Sequence, residues 1–254
     1  MMPSRQEICS YLSDLFADCK HQDHSNNGLQ VEGQSDIRKI VFAVDACQQV
    51  FDLAVQRQAQ MLIVHHGISW GGGIKRITNC HSRRLKTLLG AGLSLVAYHL
   101  PLDAHPEIGN NAVLANMLGL NERKPFFAYD GETIGFCGTL HQTTTLEELA
   151  QVLERDLLGH CLILPATENP SITRLGIVSG GGADAIDECA QLGLDCLITG
   201  EVAHQHVHYA RELGISVIAG GHYATETTGI KALQKRISEK FPVPCEFIDC
   251  PTGL

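Results

Sequence analysis

Histidine side chains stand at the ends of stretches that are predicted to be buried strands. The first such stretch, "MLIVHH", ends on His65 and His66. Neighbouring side chains on a strand point to opposite faces, so two adjacent histidines do not readily bind one atom. At the end of a strand they can instead turn toward two atoms that lie side by side. The alternative is that both are ordinary polar residues that close the strand.

Two further clusters repeat a histidine that is followed four residues later by a carboxylate. His99 precedes Asp103, and His222 precedes Glu226. Both pairs follow predicted strands that correspond between the two halves of the chain, so chance would have to produce the same spacing twice. A lone aspartate in such a loop is more often a turn former or a helix cap. The matched second pair favours a functional site.

A fourth cluster lies in "TGEVAHQHVHYA". Glu201 follows a predicted strand, and the segment after it is predicted to be helical. A helix would place His204 and His208 on one face and His206 on another. We expect at least two of these histidines to be ordinary surface residues.

Imidazole and carboxylate groups therefore gather at the carboxyl ends of predicted parallel strands, where open α/β sheets usually place their sites. Such a mixed nitrogen and oxygen set suits zinc, manganese, iron, cobalt or nickel, and it does not distinguish them. It exceeds the three protein ligands usual for one catalytic zinc. Two ions about 3.5–4 Å apart can lower the pKa of a bound water to roughly 7 and stabilise attacking and leaving oxygens. The residues therefore predict two divalent metal ions and a hydrolytic reaction.

Other familiar catalytic motifs are absent from the sequence. It contains no Walker loop, no GxSxG elbow and no HExxH motif. The segment "SGGGADA" (179–185) follows a predicted strand and begins a predicted helix, so its amides can hold an anion. A tight structural turn explains the same residues equally well.

The elements that must position these side chains alternate between strand and helix. Residues 37–45 and 93–99 read as strands on either side of "QMLIVHH", and residues 46–59 read as a helix. This rhythm predicts an α/β fold with mainly parallel sheets flanked by helices. The strands are continuously apolar, as parallel strands covered on both faces should be.

The second half of the chain repeats the first. Residues 44–67 align without a gap to residues 178–201, and residues 91–99 match residues 213–222. After each of the latter two segments we expect a polar loop and then a helix, which begins at Gly109 in the first half and at Gly229 in the second. We expect two related α/β lobes, with the metal site at the carboxyl ends of strands between them. Between the repeats, a strand is predicted near residues 133–140, and Thr145 and Glu148 after it have the spacing of a capping box at the start of a helix.

Composition limits the class of protein. Of the 254 residues, 44% are hydrophobic and 19% are charged, which is typical of a soluble globular protein. The net charge of −9 speaks against strong binding of nucleic acid or of an anionic membrane. Ten cysteines without a CxxC motif favour thiols in a reducing cytoplasm over disulfides. No apolar run approaches the roughly 20 residues that span a bilayer, and the start lacks a secretory signal. We therefore expect a cytoplasmic protein.

The residues that carry these patterns also resemble a known family. The stretches "SNNGLQVEG", "LIVHHGISW", "YHLPLDAHPEIGNNAVLA" and "ITGEVAHQHVHYARELGISVIAGGHYATE" together resemble the NIF-three-like family, often labelled GTP cyclohydrolase 1 type 2 homologue. The resemblance covers nearly the whole chain, and it is closest to the short bacterial members, which have no large domain inserted between the halves.

The resemblance implies further properties. It implies a first α/β lobe of residues 1–124 plus 226–254 and a second of residues 125–225. It also implies a toroidal homohexamer with a dinuclear metal site facing its interior. The implied metal ligands are His65, His66, Asp103, His222 and Glu226. His99 and Glu201 would lie close by, and our own expectation is that they either support the ligands or handle protons in catalysis. His204 is a weaker candidate.

Three functions compete at this stage. The first is a metal-dependent hydrolase of a nucleotide-like small molecule. The second is a non-catalytic metal-binding scaffold or metal-supply protein, which would use identical ligands. The third is an interaction adaptor that acts through its outer surface. A basic lining from Arg76, Arg83, Arg84 and Lys86 would be needed for nucleic acid, but that cluster is better explained as a solvated helix face.

Overall fold

The computed structural model describes residues 2–19, 22–168 and 170–254. The chain divides into two compact units. Unit 1 is Met1–Leu102 with Ile230–Cys250, and unit 2 is Asp103–Gly229 with Pro251–Leu254. The lobe boundaries expected from the sequence, at residues 124 and 225, stay a prediction. Those lobes also include Met1, Lys20, His21 and Asn169, which lie outside the described residues.

The strands in chain order are β1 Gly28–Val31, β2 Ile40–Asp45, β3 Met61–His66, β4 Ser94–Ala97, β5 Asn121–Tyr129, β6 Glu132–Thr144, β7 Leu162–Leu164, β8 Ile172–Val178, β9 Cys196–Thr199, β10 Ser216–Ala219 and β11 Cys245–Phe247. The α-helices in chain order are α1 Arg5–Leu15, α2 Gln48–Gln56, α3 Asn79–Ala91, α4 Leu100–Ala104, α5 Asn110–Met117, α6 Leu146–Leu157, α7 Ile186–Leu192, α8 His204–Glu212 and α9 His222–Lys240.

The sheet of unit 1 has the strand order β1-β4-β3-β2-β11 within the described residues. Strands β11, β2, β3 and β4 run parallel, and β1 pairs with β4 in the antiparallel sense. All residues of β4 and nearly all of β2 and β3 are buried, because helices cover a parallel sheet. The parallel pairing of β3 with β4 brings the residues that follow these two strands side by side.

The sheet of unit 2 has the order β5-β6-β8-β9-β10-β7. Only its centre, β8-β9-β10, is parallel, whereas β5, β6 and β7 pair in the antiparallel sense. Strands β5 and β6 form a hairpin through Asp130 and Gly131, both with positive φ. An Asp-Gly dipeptide is a strong signal for such a two-residue turn. The predicted α/β class with two helix-flanked sheets is confirmed. Parallel pairs predominate in the sheet of unit 1, whereas the described sheet of unit 2 has three antiparallel and two parallel pairs, so the expected mainly parallel character holds only for unit 1.

The strand-helix-strand repeat exists in both units. In unit 1 it is β2-α2-β3, and in unit 2 it is β8-α7-β9, with a 3-10 turn at Ala183–Ala185 before the helix. The capping box at the start of α6 is also present. Glu148 donates its backbone N–H to Thr145 Oγ1 at 3.2 Å, and Thr145 donates its own N–H to Glu148 Oε2 at 3.1 Å. These local patterns therefore predicted real elements.

One local expectation was wrong. A polar loop was expected between β10 and a helix that begins at Gly229, but helix α9 already begins at His222. The backbone N–H of Thr225 donates to the carbonyl of Gly221 at 3.0 Å, which closes the first turn of this helix. The early start places His222 and Glu226 one helical turn apart on the same face.

No disulfide joins the cysteines of the described residues. Cys137, Cys189 and Cys196 are buried, Cys80 is exposed, and the others are half-buried. In the part of the chain that the structure describes, none of the helices has the length and apolar character needed to pass through a bilayer.

Candidate metal centre

Three histidines of unit 1 lie together where β3 and β4 end. The ring centroids of His65 and His66 are 4.6 Å apart, and those of His65 and His99 are 5.0 Å apart. One ligand atom from each of the three rings lies within 4.8 Å of the others. The adjacent histidines therefore do not end on unrelated sides of the strand. Together with His99 they form one cluster at the end of β3.

Each of these three rings is oriented by an oxygen acceptor at Nδ1. His65 Nδ1 lies 3.0 Å from the carbonyl oxygen of Tyr98, and a carbonyl can only accept, so this nitrogen carries the proton. His66 Nδ1 lies 2.8 Å from the carboxylate of Asp45, and His99 Nδ1 lies 2.8 Å from that of Asp23. A proton on Nδ1 leaves the lone pair of each ring on Nε2. Histidines that bind metals are typically held in this way.

Asp23 is the most strongly held of these acceptors. Its side chain is only 3% exposed. Burial raises the pKa of this carboxyl, but hydrogen bonds from His99, Asn27 and the backbone N–H of Ser25 outweigh burial and bring the pKa down to about 2. Asp23 therefore stays ionised at neutral pH and accepts the His99 proton rather than donating one.

A second cluster lies in unit 2 at the start of α9. His222 Nε2 is 3.1 Å from Glu226 Oε1, and His222 Nδ1 is 3.2 Å from Glu201 Oε1. The hydrogen bond to Glu226 raises the pKa of His222 to about 9; burial opposes the rise, and the charge of Glu226 and the contact with Glu201 add to it. Without a metal ion this imidazole therefore carries a proton at neutral pH. Glu226 is 3% exposed, whereas the Glu201 side chain is 51% exposed.

Gly180, which follows β8, allows the backbone to approach this cluster. A Cβ on Gly180 would lie 2.3 Å from Glu226 Oε1 and 3.2 Å from His222 Nε2, and the residue has a φ of +60°. Any side chain here would displace the carboxylate. The backbone N–H of Gly180 donates to Thr225 Oγ1 at 3.1 Å, which fixes the turn against the first turn of α9.

Asp103 is a buried carboxylate of unit 2 that accepts two side-chain hydrogen bonds. Its Oδ1 accepts hydrogen bonds from Asn110 Nδ2 at 2.8 Å and from Ser179 Oγ at 3.0 Å. Asn111 supports the same arrangement, because it donates to the Asp103 carbonyl oxygen at 3.3 Å and accepts from the Ser179 backbone N–H at 2.7 Å. The residue is 5% exposed, so it is neither a solvated turn former nor a surface cap.

The remaining histidine candidates have ordinary environments. His204 and His208 are exposed on α8. His206 accepts a hydrogen bond from the Ala203 backbone N–H through Nδ1 at 3.1 Å, and its Nε2 lies 3.3 Å from Asp184. In the segment 179–185, the N–H of Gly182 donates to Thr199 Oγ1 at 3.1 Å, as that of Gly180 does to Thr225. These internal bonds favour the tight-turn interpretation of the segment over an anion site.

Sequence reasoning missed the residues that orient the imidazoles. Asp45 is the last residue of β2 and could have been noted as a polar end of an apolar strand. Asp23 lies in "HQDHSNNG", where nothing in the local pattern connects it with His99, 76 positions later. Gly180 was noted only as part of a glycine-rich turn.

The donor set suits a divalent transition metal. Each unit offers imidazole nitrogens that are oriented through Nδ1, and unit 2 adds the buried carboxylates of Asp103 and Glu226. Nitrogen and oxygen ligands of this kind bind zinc, manganese, iron, cobalt or nickel. The residues present therefore fit a metal ion, although they do not select one metal.

Comparison with known proteins reveals likeness along nearly the whole chain. The model of the family Duf34/NIF3 (NGG1p interacting factor 3) matches residues 3–252. A relative from Pyrococcus horikoshii, named GTP cyclohydrolase 1 type 2 homolog, is 46% identical over 250 residues, which cover 98% of this chain and 99% of the relative.

Solved structures agree with that likeness. The protein ybgI, described as of unknown function, is 38% identical and superposes with a TM-score of 0.92 over 99% of this chain and 100% of its own. The protein TTHA1606 from Thermus thermophilus is also 38% identical, with a TM-score of 0.87 and the same coverage.

Proposed function

The chain belongs to the Duf34/NIF3 family, and on that premise we propose that it binds two divalent metal ions and hydrolyses a nucleotide-like small molecule. The orientation of the histidines carries the proposal. His65, His66 and His99 each have Nδ1 bound to an oxygen acceptor, which places the lone pair of each ring on Nε2, where it can bind a metal ion or accept a proton. Histidines that bind metals almost always donate their other ring N–H to an acceptor of this kind.

The proposed ligands are His65, His66, Asp103, His222 and Glu226. His222 resembles the histidines of unit 1, because its Nδ1 is bound to Glu201 and its Nε2 faces Glu226. When bound, two divalent ions would supply Lewis acidity and activate water for hydrolysis.

Two residues of the chain would handle protons. His99 is held by Asp23, which fixes its ring so that Nε2 can accept a proton from a group beside the cluster. Glu201 contacts His222 and is half exposed, so its carboxylate can exchange protons with solvent. The name cyclohydrolase, which the relatives carry, describes ring opening by water and fits this chemistry.

The proposal is tested with metal-defined protein. Elemental analysis of unmanipulated protein should find close to two ions per chain, and a screen of nucleotides and other purine derivatives with that metal should yield a hydrolysed product. Asp103→Ala and Glu226→Ala should each abolish turnover. Glu239→Ala, at the exposed end of the same helix as Glu226, is the matched control and should retain it.

The mass of the assembly, which we propose to be a cytoplasmic homohexamer, must stay unchanged in the variants. Undiminished turnover in a verified metal-free variant would contradict the hydrolase proposal. Two ions per chain with no metal-dependent product across the screen would favour a metal-binding scaffold or metal-supply protein instead.

A further inference from the structure

A pocket of about 430 Å³ opens beside the histidine cluster of unit 1. It is lined mainly by the Trp70 loop, defined here as residues 67–78, and by His81 of helix α3. Its volume falls within the range of small-ligand sites, which is about 300–1,000 Å³. The metal-binding proposal does not use these residues.

Trp70 provides a planar apolar surface in this pocket. The residue is 38% exposed, and its Nε1 donates to the Gly67 carbonyl oxygen at 2.9 Å. The centroid of its ring is 5.1 Å from that of His99 and 6.1 Å from that of His66. A flat ring stacked on the exposed part of Trp70 would therefore lie next to the histidine cluster.

The Trp70 loop is held in place before any ligand binds. Gln30 Oε1 accepts hydrogen bonds from the backbone N–H groups of Ile68 and Ser69 at 2.8 and 3.0 Å. Asn26 donates its side-chain amide to Ser69 Oγ at 2.8 Å, and the Gly71 N–H donates to the His24 carbonyl at 2.6 Å. A surface ordered in this way loses little conformational entropy when it binds.

The same pocket is positively charged in an acidic protein. Lys75 and Arg76 line it, both are exposed, and neither forms an ion pair with a described residue. Of the described residues that line it, none is an aspartate or a glutamate. His81 adds a buried Nδ1 that has no hydrogen-bond partner within the described chain. Cationic groups of this kind bind phosphate oxygens.

We propose that this pocket binds a mononucleotide, with the base stacked on Trp70 and the phosphate bound by Lys75 and Arg76. An indole face recognises any base by stacking, and the two cations require an anionic group on the same molecule. The inference rests on the proposed function in one respect, because it identifies the pocket as the substrate site of the adjacent metal centre. It supplies the recognition chemistry that the metal ligands lack.

Trp70 is also the built-in probe, because the chain contains one tryptophan. Guanosine 5′-monophosphate, guanosine and ribose 5-phosphate are titrated separately into the as-isolated protein while tryptophan fluorescence is followed, with correction for ligand absorbance. We expect saturable quenching by the mononucleotide, weaker binding of guanosine and no quenching by ribose 5-phosphate.

Variants distinguish the base-stacking part of the site from its phosphate-binding part. The double variant Lys75→Ala/Arg76→Ala should weaken binding of the mononucleotide by about tenfold or more, since charge-assisted hydrogen bonds are lost, and should leave guanosine unaffected. Trp70→Leu, followed by calorimetry, should weaken both ligands, and Trp70→Phe should restore part of the affinity. Arg38→Ala, an exposed cation of unit 1 outside this pocket, is the matched control.

The outcomes distinguish this inference from the proposed function. Absence of quenching by the mononucleotide overturns the inference, as does equal binding of ribose 5-phosphate or an unaltered double variant. If the mononucleotide quenches the fluorescence, the variants weaken its binding as expected, and no metal-dependent turnover is found, the nucleotide site is supported and only the hydrolase proposal is contradicted. If turnover depends on metal but the double variant has the same KM as the parent chain, the inference is contradicted and the hydrolase proposal is not.

Discussion

The orientation of the imidazole rings in the candidate metal centre is determined by their hydrogen-bond acceptors and not by their own positions in the sequence. His66 and His99 bind carboxylates through Nδ1, and His65 binds a backbone carbonyl. A carboxylate at Nδ1 also makes the ring a stronger base, which strengthens the bond from Nε2 to a metal. Loss of such an acceptor should therefore weaken metal binding even though no ligand is removed.

Asp45→Ala tests that expectation. The substitution removes the acceptor of His66 Nδ1 at 2.8 Å, so the ring can rotate and change tautomer. We expect metal affinity to fall by about 10- to 100-fold, which is the usual loss when such a partner is removed. Affinity is measured by competition with a chromophoric chelator.

Asp52→Ala is the control for Asp45→Ala. Asp52 is an exposed carboxylate of helix α2, and it accepts a hydrogen bond from the Gln48 side chain at 2.8 Å. The two variants change the net charge equally, so a general electrostatic effect would weaken metal binding in both. Equal affinities in the two variants would show that Asp45 does not orient His66.

At the scale of elements, the turn after β8 determines how closely the backbone can approach helix α9. Gly180 combines a left-handed φ of +60° with a contact that leaves no room for Cβ. The two effects are separable, because left-handed backbone strain is common to many glycines whereas the steric contact with Glu226 is specific to this one. A substitution can therefore distinguish strain in the fold from damage to the site.

Gly180→Ala should weaken metal binding, and Gly214→Ala should not. Gly214 has a φ of +75°, and no atom of the described residues lies within 4 Å of the position that its Cβ would take. Both variants should lose about 1 kcal/mol of unfolding free energy from backbone strain. Only Gly180→Ala pushes Glu226 away from His222. Denaturant unfolding and metal titration are measured on both variants, and a similar metal affinity in the two would refute the role of the turn.

Elements with a strong local signal were predictable, and those fixed by pairing were less so. Apolar runs identified β2, β3 and β4, and capping chemistry identified the start of α6. The antiparallel hairpin of β5 and β6 was only half recognised: its Asp-Gly turn is a local signal, yet the exposed residues of β5 carry no buried pattern. The start of α9 was misplaced because the polar residues of its first turn read as a loop.

At the scale of the whole molecule, the sequence revealed the side chains suited to metal and not the residues that orient them. The candidate ligands follow predicted parallel strands, and the carboxyl ends of such strands are where open α/β sheets usually place their sites. Their acceptors are separated from them by 21 positions for Asp45 and His66, and by 76 for Asp23 and His99. No periodicity connects residues so far apart, so tertiary structure was needed to find them.

The stability of the whole chain should depend on pH in a way that metal removes. In the metal-free protein the pKa of His222 is about 9, above its ordinary value of 6.5. Because the folded-state pKa is raised, protonated His222 stabilises the fold fully below about pH 6.5, and this contribution is lost as the pH rises through about 9. A metal ion that takes the place of the proton on Nε2 would abolish this dependence.

Melting temperatures across this window test the linkage. Metal competes with the His222 proton, so apparent metal affinity should rise about tenfold per pH unit between pH 7 and about 9. A ligand that binds only the folded state stabilises it by an amount that grows with the logarithm of the ligand concentration divided by its Kd. The gain in Tm on adding metal should therefore be larger at about pH 8.5 than at about pH 7.

The control is His160→Gln. The His160 side chain is fully exposed, so this variant should show the same dependence of the Tm gain on pH as the parent chain. A gain that is independent of pH would mean that metal does not displace this proton, and His222 would then not be a ligand.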